Sequence, residues 1–222
     1  MVDEKLLDWL VGKAELKAED RVLEVGAGTG NLTEEIAKKA RVWAVEKDRD
    51  LCARLRRRFK GNPNVTVVEA DALRVELPGR DKVVSNIPYS ISRELTERLI
   101  LGGLGVAVLV TQREFAEKLL GKPGGDNYRM LSVLAQTTCD IEPLGRIPGE
   151  AFDPKPKVES AAVKLVQKWV PPKEYIPFLN RLFSGKNKKI RNIMDVPEGY
   201  RQMRPGEMTP QELRELFHLA KD

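Results

Sequence analysis

One histidine and two cysteines in 222 residues leave little from which to build a metal centre. His218 stands alone near the C-terminus, and Cys52 and Cys139 share no ligand spacing, so a structural zinc site is excluded. A serine–histidine–aspartate relay is equally short of parts, since that lone histidine falls in a helical pattern. Two cysteines make no disulfide framework and fit a reducing cytoplasm. No run approaches the ~20 apolar residues that cross a bilayer. Met1-Val2-Asp3-Glu4-Lys5 also lacks the basic-then-apolar order of a secretory signal. A cytoplasmic protein without membrane or metal is expected. Hydrophobic residues at 41% and charged residues at 32% are enough for a sizeable core and argue against disorder. The length fits one domain and a small appendage.

Charge is uneven along the chain. Residues 1–167 hold 27 Lys and Arg against 26 Asp and Glu, whereas residues 168–222 hold 11 against 7. Nearly all of the net +5 therefore sits in the last quarter. Clustered basic charge points to a polyanion, either nucleic acid or an acidic membrane surface. A merely solvated tail is the bland alternative.

Apolar strands alternate with amphipathic helices over the first two-thirds. Helices are expected at 3–15, from an Asn31 or Thr33 cap to 39, and at 49–59, 90–101, 112–120 and 130–137. Strands are expected at 21–25, 41–45, 65–69, 81–85, 104–111, 139–147 and 160–167. Such alternation predicts an α/β fold: a mostly parallel sheet covered by helices on both faces, with the last two strands closing it antiparallel. Val170-Pro171-Pro172 reads as a linker between a domain at 1–169 and a small basic helical domain at 173–222. Helices are expected in the latter at 173–183, 187–195 and 210–221, the last with Thr209 as cap and Pro210 in its first turn.

Glu24-Val25-Gly26-Ala27-Gly28-Thr29-Gly30-Asn31 lies between a strand and a helix, where open parallel sheets bind ligands. A dinucleotide fingerprint needs Gly or Ala at position 31, and Asn31 stands there instead. Glu46 ends the second strand, where a carboxylate can take both ribose hydroxyls. Asp71, in Glu69-Ala70-Asp71-Ala72, ends the third and can accept from an adenine amino group. Three successive strand ends thus address a nucleoside. The loop has no phosphate-gripping cation, and Glu24 would repel a phosphate, so a cationic nucleoside such as S-adenosylmethionine suits the site better than NAD. Either carboxylate alone is commonly just an exposed strand end.

The fourth strand runs into Asn86-Ile87-Pro88-Tyr89-Ser90. Pro88 stops the ladder and leaves Asn86 and Tyr89 over the sheet's carboxyl edge. An exocyclic amine on a planar base is a poor nucleophile because its lone pair is delocalised into the ring. The Asn86 side-chain oxygen and the Ile87 carbonyl can accept its two N–H groups and free that lone pair. Tyr89 offers a stacking face worth ~1–3 kcal/mol, for a base that has left its helix. Phe152, ahead of Asp153-Pro154-Lys155-Pro156-Lys157, can close the base's other face or simply plug the core. Lys155 and Lys157 can reach phosphates.

These segments resemble the KsgA-type small-subunit rRNA adenine dimethylases, whose relatives include the Erm methylases. The likeness rests on 24–30, Glu46, Asp71-Ala72, Asn86-Ile87-Pro88-Tyr89, Gln112-Arg113-Glu114, Tyr128, Leu131-Ser132 and Phe152 through Ser160. Phe183 through Asn192 looks like the basic helix of the family's C-terminal domain, in its archaeal form. The resemblance implies a Rossmann-like class I methyltransferase sheet and S-adenosylmethionine as methyl donor. It also implies dimethylation of N6 on two adjacent adenosines near the 3′ end of small-subunit rRNA, coupled to maturation of an immature small subunit. Candidate catalytic residues are Asn86, Ile87, Pro88 and Tyr89. Candidate cofactor residues are Glu24, Gly26, Gly28, Gly30, Glu46, Asp71, Ala72 and Asn86, with Tyr89 and Phe152 at the target base. Members usually begin with a Gln-x-Phe-Leu segment over the cofactor, and this chain starts just after it, with a short C-terminal domain.

Lys186, Lys188, Lys189 and Arg191 join Lys155 and Lys157 as candidate rRNA contacts. With no interleaved aromatics they would grip backbone and leave base selection to Tyr89 and Phe152. On the expected helix, Ile190 and Ile193 would face the domain. The rival readings are an rRNA-binding assembly factor with little turnover, or a methylase for another adenine or amide. A monomer is expected.

Overall fold

The computed structural model describes residues 1–220. Asp3 caps α1 (Glu4–Lys13) by accepting the Leu6 N–H at 3.0 Å, and Leu7, Leu10 and Val11 form the buried face. There follow β1 (Arg21–Val25), α2 (Asn31–Ala37), β2 (Arg41–Glu46), α3 (Arg49–Arg58), β3 (Val65–Glu69) and β4 (Lys82–Asn86). The chain continues through α4 (Ser92–Leu101), β5 (Val106–Gln112), α5 (Arg113–Leu119), α6 (Met130–Thr138), β6 (Cys139–Ile147) and β7 (Ser160–Gln167). Two helices, α7 (Tyr175–Phe183) and α8 (Pro210–Leu219), complete it. The expected end of the last helix at 221 lies outside the described residues. No helix among the described residues is long and apolar enough to cross a membrane.

One sheet carries the strands in the order β3-β2-β1-β4-β5-β7-β6. The pairs from β3 to β5 are parallel, and β7 runs antiparallel to β5, with Gln112 opposite Ser160. Central strands are Val-, Leu- and Ala-rich on both faces, as a doubly covered sheet requires. After β1 the chain builds β2 and β3 on one side, then returns to place β4 on the other. That reversal opens a crevice at the carboxyl ends of β1 and β4. The glycine loop follows β1 and the Asn-Ile-Pro-Tyr segment follows β4, so topology alone brings the two motifs together. Under α1 and α2, Leu7, Leu10, Ile36, Val42, Val84 and Val110 form one buried cluster.

The chain divides into two compact units: Met1–Ala116 with Glu142–Gln167, and Glu117–Ile141 with the residues from Lys168 onward. The second unit thus includes α6 and the 121–127 loop as well as the segment beyond the expected linker. Within it, fully buried Tyr175 meets Phe217 edge-on at 4.9 Å and Trp169 at 5.1 Å. Thr209 and Glu212 cap α8 reciprocally, with Pro210 at its start, as expected.

Two local expectations are corrected. Residues 187–195 are not a helix but hold a single 3-10 turn at Ile190–Asn192. Their amides are spent elsewhere: Ile190 N–H donates to the Met203 carbonyl at 2.9 Å, and Arg191 N–H to that of Arg201 at 3.2 Å. In turn Gly206 N–H donates to the Lys186 carbonyl at 2.8 Å. At α2 the cap is neither Asn31 nor Thr33 but Gly30, at φ +88°, with no side-chain hydrogen bond. The Asn31 amide instead donates to the Met1 carbonyl at 2.9 Å, and the Thr33 hydroxyl to Glu24 at 2.5 Å.

Candidate active site

The glycine loop is shaped by what stands next to it. Gly26 has φ +75°, and a Cβ there would lie 2.8 Å from Pro88 Cγ, so the loop touches the Asn-Ile-Pro-Tyr segment only through a glycine. Gly28, at φ +58°, donates its N–H to Glu46 Oε2 at 2.9 Å. Glu46 Oε1 accepts the Lys47 and Asp48 N–H groups at 2.9 and 3.0 Å. Three main-chain donors fix the carboxylate and leave room among its about four acceptor sites for a ligand hydroxyl. Gly30 serves packing: a Cβ would lie 2.7 Å from Leu55 on α3 and 2.8 Å from Phe59, which caps that helix.

Gly26, Glu46, Asp71, Ala72, Pro88 and Ile91 help to line an open cleft. Asp71 is set by a hydrogen bond from the Leu73 N–H to its Oδ1 at 2.9 Å. A cleft with apolar walls, one carboxylate beyond β2 and another beyond β3 fits a nucleoside, whose hydroxyls and amino group are donors. Glu24, by contrast, does not line this cleft. It is buried on β1, and burial pushes its carboxyl up to about 8 despite the Thr33 hydrogen bond. The phosphate-repelling charge expected of Glu24 is therefore largely absent at neutral pH. Discrimination by charge falls to Glu46 and Asp71.

Asn86 is the last residue of β4, and its Oδ1 is buried with no hydrogen-bond partner among the described residues. An amide oxygen without a donor is costly unless a ligand supplies one. Ile87 is buried and still donates its N–H to Val110 at 3.0 Å; Pro88 then ends the ladder. Half-buried Tyr89 follows in a 3-10 turn, its hydroxyl 2.6 Å from the Ser160 Oγ at the start of β7. That bond joins the Asn-Ile-Pro-Tyr segment to the end of the Phe152–Ser160 segment across β5. Phe152 lies partly buried against the core cluster, and its ring makes no contact with Tyr89 among the described residues. The structure thus assembles Gly26, Glu46, Asp71, Ala72 and Pro88 on one cleft, with Gly28 tied to Glu46 and Asn86 adjoining. It does not pair the two aromatic rings.

The sequence model of the family described as "Ribosomal RNA adenine dimethylase" matches residues 1–208. The chain belongs to that family. A "Probable ribosomal RNA small subunit methyltransferase A" of Methanosarcina mazei is 36% identical over 245 aligned residues, covering 100% of this chain and 90% of the relative. Its counterpart in Thermococcus kodakarensis is 44% identical over 187, covering 84% and 66%. The crystal structure of a dimethyladenosine transferase from Plasmodium falciparum superposes with a TM-score of 0.88 at 26% identity, covering 100% of this chain and 97% of that one. The 23S rRNA methyltransferase ErmE superposes at 0.75 and 27%, covering 99% and 98%. The sheet is that of the class I methyltransferases.

Not every segment that carried the family resemblance faces the cleft. Tyr128 is fully buried and donates its hydroxyl to the Met208 carbonyl at 2.8 Å. Ser132 accepts the Arg129 N–H at 2.9 Å and donates to the Lys118 carbonyl. Both brace the second unit internally. Of the candidate rRNA contacts, Lys155 pairs with Glu150, and Lys157 makes no ion pair among the described residues. Lys188 and Arg191 are exposed, Lys186 reaches the Tyr128 carbonyl at 3.4 Å, and Lys189 reaches Gln202 at 2.8 Å. Arg201 and Arg204 were missed in the sequence; the pairing of 186–191 with 201–206 adds them to this basic stretch. Arg58 was missed as well. Its guanidinium donates to the Thr29 carbonyl at 2.7 Å and to Asn31 Oδ1 at 2.8 Å, and pairs with Glu34, pinning the glycine loop from α3. In the sequence it is one arginine in a run of three, with nothing to single it out.

Proposed function

We propose that the cleft between β1 and β4 is where this dimethylase acts, and that Asn86 selects the atom to be methylated. The protein is an S-adenosylmethionine-dependent rRNA adenine N6,N6-dimethyltransferase of the small-subunit type. Bound there, S-adenosylmethionine supplies an electrophilic methyl group. Glu46 would hold its ribose hydroxyls and Asp71 its adenine amino group, while Gly26 and Gly28 allow close approach of the backbone. The partnerless Asn86 Oδ1 carries the reading. Together with the Ile87 carbonyl it can accept both N–H groups of a target adenine, turning the amine lone pair out of conjugation and toward the methyl. Tyr89, its hydroxyl held by Ser160, would give the base a fixed face to stack on. Each transfer would form an N–C bond as the S–CH3 bond breaks, leaving S-adenosylhomocysteine, and the surplus proton on nitrogen would pass to water. After the first, one N–H still anchors the amine for the second round. After the second, no N–H remains and the product loses its hold on Asn86.

No covalent enzyme intermediate is needed; holding the amine in line with the methyl supplies most of the acceleration. Lys155, Lys157, Lys186, Lys188, Lys189 and Arg191 would bind the rRNA backbone. Action on the immature small subunit in the cytoplasm, as a monomer and in step with its maturation, belongs to the same proposal. The test is methyl transfer from labelled S-adenosylmethionine to under-methylated small subunits, followed by nucleoside analysis. Dimethyladenosine is expected from the parent chain and almost none from Asn86→Ala. Tight subunit binding without label would instead favour an assembly factor.

A further inference from the structure

A second groove, open to solvent, lies beside the Tyr89 anchor. One wall is the end of β6 and the turn after it, with Arg146 and Gly149; the other is the run Lys155 to Ser160. Three cations, Arg146, Lys155 and Lys157, face it against one carboxylate, Glu159. That carboxylate is already engaged on two sides. Arg113 Nη1 lies 2.9 Å from one oxygen and Arg146 Nη1 3.8 Å from the other, while the Arg113 N–H donates to the Glu159 carbonyl at 2.9 Å. Its negative charge is thus shared between two guanidiniums, and the groove keeps a cationic excess. Lys155 is drawn toward Glu150, outside the lining, and Lys157 has no ion-pair partner among the described residues. Ser160, which follows Glu159, is buried and holds the Tyr89 hydroxyl at 2.6 Å. Glu159 and Ser160 therefore couple the cationic wall directly to the stacking face.

We propose that this groove takes a phosphodiester group of single-stranded RNA adjoining the target adenosine. Arg146 and Lys157 contact the phosphate, and Glu159, itself held by Arg113, is a positioning residue for Arg146. The proposal rests on reading Tyr89 as the platform for the target base. A nucleotide stacked on Tyr89 carries its own phosphates toward the wall that Ser160 begins, and a wall of cations there neutralises them without reading sequence. Arg146 lies outside every sequence motif, and only the return of the chain at 148–149 brings it opposite Lys157.

The experiment uses the full chain and a fluorescent stem-loop RNA with two adjacent adenosines in its loop, titrated over a range of salt concentrations. Arg146→Gln with Lys157→Gln should weaken RNA binding about tenfold at low salt. It should also flatten the plot of log K against log salt by about 0.7, the contribution of one neutralised phosphate on a single strand. Affinity for S-adenosylmethionine should stay at the parent value. Glu159→Gln should raise KM for RNA and leave kcat in place, and Glu159→Asp should restore much of the KM. Parent-like affinity and slope in the double variant would overturn the assignment. So would inorganic phosphate displacing RNA from parent and double variant at the same concentration, because the groove would then be irrelevant to RNA. These readouts are of binding. A parent that binds RNA with the expected salt slope but methylates nothing would leave the groove assigned and refute the catalytic reading alone.

Discussion

The crevice between β1 and β4 and the basic stretch at 186–204 are built on opposite plans. In the crevice, polar groups are few, largely buried and fixed by the main chain. Glu46 is held by three amides, Gly26 is wedged against Pro88, and the buried Asn86 oxygen has no donor among the described residues. In the basic stretch the backbone is fixed by pairing of 186–191 with 201–206, while Lys188 and Arg191 stand out in solvent. The first arrangement can choose an atom; the second can only favour negative charge. Precision belongs where a donor's absence is costly, and affinity where counterions are released.

Substitutions in the two regions should therefore differ in kind as well as in size. Asn86→Ala heads the series, with methyl transfer reduced by about 100-fold or more, the scale expected when a group acting on the reacting amine is removed. Gly26→Ala comes next. A Cβ 2.8 Å from Pro88 at φ +75° should cost about 1–3 kcal/mol, seen as a lower denaturant midpoint together with weaker cofactor binding. Arg58→Ala should raise KM for S-adenosylmethionine severalfold, because the Thr29 carbonyl and Asn31 amide lose their clamp; an unchanged KM would remove Arg58 from the site. Replacing Lys188, Lys189 and Arg191 together should leave kcat at saturating rRNA intact. The salt dependence of rRNA binding should flatten by about 2; a parent-like slope would refute a role for this stretch in rRNA binding.

Stability is also expected to vary with pH. The Glu24 carboxyl, pushed up to about 8 by burial, faces the Thr33 hydroxyl, the Glu46 carboxylate and the Met1 amine. Its folded value lies above the usual 4.5, so the folded chain holds the proton more tightly and stability falls as pH rises from about 4.5 to 8. Glu24→Gln should flatten that decline, measured as the denaturant midpoint across this range. A variant that keeps the parent's slope would show that Glu24 is not its source.

Much of the fold was legible because its strands are punctuated. Arg21–Val25, Val65–Glu69, Cys139–Ile147 and Ser160–Gln167 each end at Gly, Asp, Pro or a polar turn, and their bounds are as expected. The crevice was legible for a related reason: strand, loop and helix are local, and topology then brings strand ends together. Residues 187–195 resisted reading because Lys188-Lys189-Ile190-Arg191-Asn192 has charge without apolar period, and its backbone partners lie at 201–206. The raised pKa of Glu24 was equally hidden, since it depends on burial beneath the loop, which outweighs the hydroxyl that Thr33 donates from α2. Phe152 was open to two readings; it packs partly against the core, and a base held between it and Tyr89 would itself keep the two rings apart.

The most direct test of Asn86 sets two numbers from one variant side by side. Single-turnover methylation of under-methylated small subunits and equilibrium binding of S-adenosylmethionine would be measured for Asn86→Ala and for the parent chain. A rate lower by about 100-fold with cofactor affinity within about twofold is the expected result. Equal losses in rate and affinity would contradict it, because Asn86 would then be part of the cofactor's seat and not the acceptor that orients the amine.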